Sequence, residues 1–173
     1  MKHFTDLNVS NPQLFDKALS LGFQKTYSLT VASLPSKNSG GDVVQGPSDL
    51  VISACKQNRP FQFINPLLDR EFYKNASLLA AAREKGKVFE IPILFLLRDR
   101  DRSRLMFQLR IFLKNCLKRK VPFVFTSRAA SEFELKSPRE IIAIGQCLGL
   151  LSNKPPQRFR HKWNKTKKGK KTK

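Results

Sequence analysis

Apolar positions recur along this chain at two spacings, every second residue and every third or fourth, and each change of spacing marks a new element. Phe4 to Val9 reads as a strand, and Asn11-Pro12 then opens a helix whose apolar stripe is Leu14, Phe15, Ala18, Leu19 and Leu21, with Gly22 as its stop. Phe23 to Val31 is rich in β formers, so a second strand follows, and the short loops favour a parallel β-α-β crossover. Residues 33–48, rich in Pro, Gly, Ser and Asn, are expected to form a surface loop. Leu50 to Ala54 and Phe61 to Leu67 read as short strands, the second bracketed by Pro60 and Pro66. Asp69 to Lys85 has Phe72, Ala76, Leu79 and Ala82 at core spacing and closes on Gly86, which predicts a helix. Lys87 to Leu97 is the most continuous apolar run and suits a strand buried on both faces, although Pro92 breaks a regular ladder. Arg98 to Lys120 is predicted as a long amphipathic helix. Leu105, Leu109, Phe112 and Cys116 form its ridge, Met106, Leu113 and Leu117 lie beside it, and Arg102, Arg110, Lys114 and Lys118 project from the polar side.

The stretch from Val121 to Leu151 is the best specified. A β-rich run, Val121 to Thr126, leads through Ser127 into a polar bend, Arg128 to Lys136. Ser137-Pro138-Arg139-Glu140 is a capping box with proline at the first helical position. Ile141, Ile144, Leu148 and Leu151 then share one face, Ala143 and Gly145 permit close approach, and Gly149 lies in the last turn. Strand and helix alternate throughout, which predicts an α/β fold with a mainly parallel sheet.

At 173 residues and 40% hydrophobic, the chain can hold one domain with a real core, expected over 1–151. Residues 152–173 form a basic tail with too little apolar content to fold alone. The formal charge of +20 is concentrated in the second half. Residues 1–97 hold 11 Lys/Arg against 8 Asp/Glu (net +3), and residues 98–173 hold 22 against 5 (net +17). So one-sided a load favours a polyanion, nucleic acid above all. A membrane surface is the weaker reading, because the tail lacks an apolar face or a lipidation site. Cys55, Cys116 and Cys147 form no Cys-x-x-Cys pair and fit packing roles in a reducing compartment. With no membrane-length apolar run and no signal architecture, a soluble intracellular protein is expected.

Thr126-Ser127, Leu135, Ser137-Pro138-Arg139-Glu140, Gly145 and Leu148-Gly149-Leu150 resemble the C-terminal signature of the thirty-kilodalton protein subunit family of ribonuclease P and ribonuclease MRP, whose archaeal counterpart is ribonuclease P protein component 3. Phe4-Thr5-Asp6-Leu7-Asn8-Val9 is similar to the family's opening strand, and Ala82 to Ile91 to its helix–glycine–strand segment. The resemblance implies a barrel of the polymerase-and-histidinol-phosphatase (PHP) type, a relative of the TIM barrel. A complete eight-stranded barrel needs roughly 200 residues or more, so a reduced or incompletely closed version is expected. The resemblance further implies a non-catalytic RNA-binding subunit that supports 5′-leader removal from precursor tRNA by a catalytic RNA. The implied partners are the ribonuclease P or MRP RNA, precursor tRNA indirectly, and another protein subunit of small ferredoxin-like type. No cofactor is expected on this chain, Mg²⁺ being expected for the catalytic RNA. The expected place is the nucleus or nucleolus, or the cytoplasm in an archaeon. Thr126, Ser127, Ser137, Pro138, Glu140, Gly145 and Gly149 would be the motif's structural residues.

Barrels of that superfamily are often metal-dependent phosphoesterases, which need clustered imidazoles and carboxylates. The first-strand place of the usual His-x-His reads Asp6-Leu7-Asn8 here, and His3 and His161 are the only histidines. No metal site is therefore expected. Asp6 and Glu90 could both face a barrel interior; the favoured reading has each hydrogen-bonded to backbone or to an inward arginine. A guanidinium can bind phosphate bidentately, which makes Arg98, Arg100, Arg102, Arg104, Arg128 and Arg139 RNA-binding candidates, with Lys114, Lys118, Arg119 and Lys120 continuing the basic side. The same residues could simply form a solvated face. In the tail, Arg158, Arg160, Lys162, Trp163, Lys165, Lys167 and Lys168 combine charge with an aromatic, which suits RNA or a nuclear-localisation signal. A divergent metal-dependent phosphoesterase and a ribosome-associated RNA-binding protein are the alternative readings.

Overall fold

A computed structural model of the chain describes residues 5–6, 8–35 and 41–150. Among the described residues seven strands follow one another: β1 (Thr5–Asp6), β2 (Lys25–Thr26), β3 (Val31–Ser33), β4 (Val43–Gln45), β5 (Phe63–Asn65), β6 (Val88–Pro92) and β7 (Phe123–Thr126). Every pairing is parallel. β3 to β7 form one sheet in sequence order, and β1 pairs with β2. Just past β7 the Arg128 amide donates to the Asn8 carbonyl at 2.8 Å and the Ser10 amide to the Ala129 carbonyl at 3.0 Å, which brings β7 beside β1. The strands thus run in ring order, but among the described residues no ladder joins β2 to β3. The pattern predicts the parallel α/β sheet, and the incompletely closed barrel is the form that the family resemblance and the chain length imply.

Among the described residues six α-helices cover the strands: α1 (Phe15–Ser20), α2 (Ser48–Lys56), α3 (Ala76–Glu84), α4 (Ile93–Arg98), α5 (Arg102–Arg119) and α6 (Pro138–Cys147). Several expectations need correction, among them the single strand over Phe23 to Val31, which is two strands, β2 and β3, in separate sheets. Residues 50–54 are not a strand; they lie in α2, where Val51, Ala54 and Cys55 are buried at helical spacing. The first turn of α2 is held from afar, since the Ser48 amide donates to Asp69 Oδ2 at 3.2 Å. The 33–48 loop contains β4, whose Val43 and Val44 are buried because β3 and β5 flank them. At its exit Gly46 has φ 151°, and a Cβ there would sit 3.1 Å from Leu34 Cβ and 3.2 Å from the Leu34 carbonyl oxygen. The apolar run after Lys87 is two elements. Its strand ends at Pro92, which occupies the N-cap of α4, so the missing N–H removes nothing a helix would use.

Strands buried on both faces divide their side chains into two sets. Outward, Val44, Ile64, Phe89, Ile91, Phe123 and Phe125 join the main core beneath the helices. There the Phe112 ring of α5 meets Phe89 edge-on at 4.9 Å and Phe72 at 5.1 Å. Leu109, Phe112, Leu113 and Cys116 are fully buried; burial of an aliphatic or aromatic side chain contributes about 1.5–3 kcal/mol, which fixes α5 on the sheet. Inward, Val43, Phe63 and Val88 pack together with Leu29 and Val124 as an apolar plug. Two residues further along the same strands stand Gln45, Asn65, Glu90 and Thr126. The C-terminal end of the barrel is therefore polar inside.

Candidate nucleic-acid interface

Arg128 organises that polar end. It takes a left-handed backbone conformation (φ 48°) immediately after Ser127, which turns its side chain back over the strands. Its Nε donates to Glu90 Oε1 at 3.1 Å, Nη2 to Glu90 Oε2 at 2.5 Å, and Nη1 to Gln45 Oε1 at 3.1 Å. Glu90 Oε1 also accepts from Thr126 Oγ1 and from Asn8 Nδ2, both at 2.8 Å, and Asn65 Nδ2 donates to Gln45 Oε1 at 3.1 Å. Asp6 Oδ1 accepts from the amides of Asn8 at 3.1 Å and Ser127 at 3.2 Å, whereas its buried Oδ2 has no partner. Burial pushes the Asp6 carboxyl above its ordinary value, against the hydrogen bonds from Ser127 and Asn8. Of the two partners expected for Glu90, backbone or an inward arginine, the structure provides the arginine, and it is Arg128. This corrects the placement of Arg128 on a solvent-facing loop as an RNA-binding residue: it is 8% exposed and its guanidinium is occupied.

The loop beyond is equally tied down. Ala129 and Leu135 insert into a second apolar cluster with Val9, Leu14, Ala18 and Phe23. Between them, Ser131 and Glu134 form a capping box around a short 3-10 turn, and Glu134 accepts from the Ala130 amide at 2.9 Å and from Arg98. The Ala130 bond, with Arg98 adding to it, holds the Glu134 carboxyl below its ordinary value. Arg98 is therefore an exposed partner of Glu134, and Arg139 is exposed in the first turn of α6. The predicted α6 capping box is present: Ser137 Oγ accepts from the Glu140 amide at 3.3 Å, and Glu140 Oε2 accepts from the Ser137 amide at 2.7 Å.

The remaining basic candidates gather on α5. In the Arg98–Arg104 run the acids serve the backbone. Asp99 accepts from the Asp101 amide at 2.7 Å, and Asp101 caps α5 by accepting from the Arg104 amide at 3.1 Å. Arg100, Arg102, Arg104, Lys114, Lys118, Arg119 and Lys120 are exposed, and among the described residues none forms an ion pair with a carboxylate. The helix itself, RSRLMFQLRIFLKNCLKR, contains no acid. Leu117, expected beside the core ridge, is instead 58% exposed, and Phe107 is 60% exposed. Sequence reasoning passed over Phe107, although helical spacing puts it opposite the Leu105–Leu109–Phe112 ridge. Candidates Arg158, Arg160, Lys162, Trp163, Lys165, Lys167 and Lys168, together with His3 and His161, lie outside the described residues. Among the described residues, no three His, Cys, Asp or Glu side chains are grouped as a metal site would require, and no helix is long and apolar enough to cross a membrane.

Residues 43–170 match the family described as RNase P subunit p30. The chain belongs to that family. It is 35% identical over 111 residues to ribonuclease P protein component 3 of Methanosarcina acetivorans, covering 62% of this chain and 46% of that protein. It is 33% identical over the same length to the Methanosarcina mazei protein of that name, with the same coverage. The chain thus spans about half the length of the curated relatives it matches. Its fold is similar to a chain in a cryo-EM structure of archaeal ribonuclease P with mature tRNA, with a TM-score of 0.56 at 16% identity over 86% of this chain and 74% of that one. Both relatives are archaeal, so the nucleolar expectation finds no support in them. Within the p30 family signature, the roles of Thr126, Ser137 and Glu140 are now physical: one bonds Glu90 and the other two cap α6.

Proposed function

We propose that this chain is a non-catalytic RNA-binding subunit of a ribonuclease P-type ribonucleoprotein, supporting removal of the 5′ leader from precursor tRNA by a catalytic RNA. The observation that carries this reading is the p30 family match over residues 43–170. The acid-free, exposed cationic side of α5 supplies the chemistry, because Lys and Arg neutralise crowded phosphates and release counterions. The partners are the ribonuclease P RNA (with or without the MRP RNA), precursor tRNA indirectly, and a second protein subunit of small ferredoxin-like type. Mg²⁺ belongs with the RNA. The compartment is the one in which precursor tRNA is processed, the cytoplasm in an archaeon and the nucleus in a eukaryote. Among the described residues the inward Glu90 is fastened to Arg128, Thr126 and Asn8, which supports the non-catalytic reading over a phosphoesterase. The test is affinity purification at moderate salt with sequencing of the RNA recovered. A single abundant RNA with ribonuclease P secondary structure, and precursor-tRNA cleavage in the eluate, is the expected result. Ribosomal RNA alone, or no RNA, would overturn the proposal.

A further inference from the structure

The outer side of the first half of α5 is built unlike a merely solvated helix. Its first turn carries Arg102 and Arg104 and no acidic residue, so cations sit at the positive end of the helix dipole, where they are locally unfavourable. Phe107 stands 60% exposed one turn further on. Arg102, Ser103, Met106, Phe107 and Arg110 line an open depression of about 340 Å³. The two arginines are not loose. Arg102 Nη2 donates to the Leu97 carbonyl at 2.8 Å, and Arg110 donates to the Cys147 carbonyl through Nε at 3.1 Å and Nη2 at 2.8 Å. Those bonds tether both guanidiniums; the backbone positions that carry them are about 12 Å apart along the helix at 1.5 Å per residue, and the exposed Phe107 ring lines the same depression. Each bond leaves further N–H donors on the guanidinium, and among the described residues no carboxylate neutralises either charge.

From this arrangement we infer that the α5 depression takes an unpaired nucleotide of RNA, its base stacked on Phe107 and its flanking phosphates held by Arg102 and Arg110. This rests on the RNA-binding reading above and narrows it to a single-stranded element. A ring accepts any base because every base has a π face, and tethered cations in the same depression track the backbone. Charge decides the class of partner. Phe133 is more exposed, at 93%, but its turn carries Glu132 and Glu134, whereas α5 carries six cations and no acid.

The test uses the full chain and a short single-stranded RNA containing 2-aminopurine, with an RNA duplex as control. Binding is followed over a range of salt. Phe107→Leu keeps an apolar side chain but removes the ring, and Phe107→Tyr restores it. Wild type and Phe107→Tyr are expected to quench the fluorophore. Phe107→Leu should bind the single strand about ten-fold more weakly, with duplex binding and salt slope unchanged. Equal single-strand affinity and quenching in Phe107→Leu and wild type, with RNA binding otherwise intact, would overturn the stacking site alone. Absence of salt-dependent RNA binding by the wild type would overturn the RNA-binding reading itself. Loss of a co-purifying protein subunit from Phe107→Leu, with RNA affinity unchanged, would also overturn the site, in favour of a protein contact.

Discussion

Arg128 and Glu90 form a two-point ion pair inside the C-terminal end of the barrel, the guanidinium 9% and the carboxylate 0% exposed at the side chain. The pair joins β6 to the segment that follows β7, and Arg128 reaches on to Gln45 at the end of β4. At the level where a barrel enzyme of this kind would open its site, this chain has a filled polar layer.

Breaking the pair from one side leaves a buried charge alone. Glu90→Gln and Arg128→Met are each expected to destabilise the fold by about 3–5 kcal/mol, a large part of the roughly 5–15 kcal/mol available to a domain. The double variant should lose less than the sum of the two, because neither charge is then stranded. Chemical denaturation of the four proteins provides the cycle. Strict additivity would mean that the two residues act independently.

Asp6 gives the same interior a pH dependence. Burial raises its carboxyl above the ordinary 3.8, and the nearby Glu90 charge adds to the effect. A raised folded value means that the folded state holds the proton more tightly. The contribution of Asp6 is therefore fully present below the ordinary value and is lost as pH rises through the raised one. Above the ordinary value the buried, half-satisfied carboxyl opposes folding, because the folded state must either keep the proton or bury the charge. Asp6→Asn should stabilise the protein there by on the order of 1 kcal/mol, and the gain should shrink on acidification. A gain that stayed constant across the acid range would show that ionisation is not the cause.

The Ser137–Glu140 box has the opposite sign. Backbone and hydroxyl hydrogen bonds from Ser137 hold the Glu140 carboxyl below its ordinary 4.5. Its stabilising effect is present above that value and is lost as pH falls through the lowered one. Ser137→Ala should lower stability by about 1 kcal/mol. Glu140→Gln should differ from wild type at neutral pH and converge on it in acid. Thermal melts of these variants along a pH series decide the point.

Where an element's determinants lie within a few residues of it, the sequence shows them; where they come from a distant partner, it does not. The α6 capping box is local, and so is the Leu105–Leu109–Phe112–Cys116 ridge of α5, buried as spacing predicts. Residues 50–54 of helix α2 read locally as a strand, and the first amide of the helix is held by Asp69, 21 positions away. Strand β4 was read as loop because three residues acquire strand geometry only between two neighbours. The run through Pro92 was apolar on every face, so periodicity could not separate strand from helix there. At the site, the cost of burying charge predicts a partner for Glu90, either backbone or an inward arginine. That the arginine is Arg128 depends on a positive φ at a non-glycine residue, which has no local sequence signature.

The basic end of α5 is the last part to test, and its geometry separates contact from scaffold. Lys114, Lys118, Arg119 and Lys120 are exposed without carboxylate partners among the described residues, whereas Arg98 is held by Glu134. If the four residues neutralise RNA phosphates, replacing them with Gln should flatten the dependence of log affinity on log salt by about 0.7–0.9 for each phosphate contact removed. Arg98→Ala should leave that slope nearly unchanged and instead loosen the 3-10 turn at Glu134, read as faster proteolysis of the loop between β7 and α6. A salt slope untouched by the four-residue substitution would move the electrostatic contact away from α5. A slope lowered by Arg98→Ala would show that the guanidinium leaves Glu134 when RNA arrives.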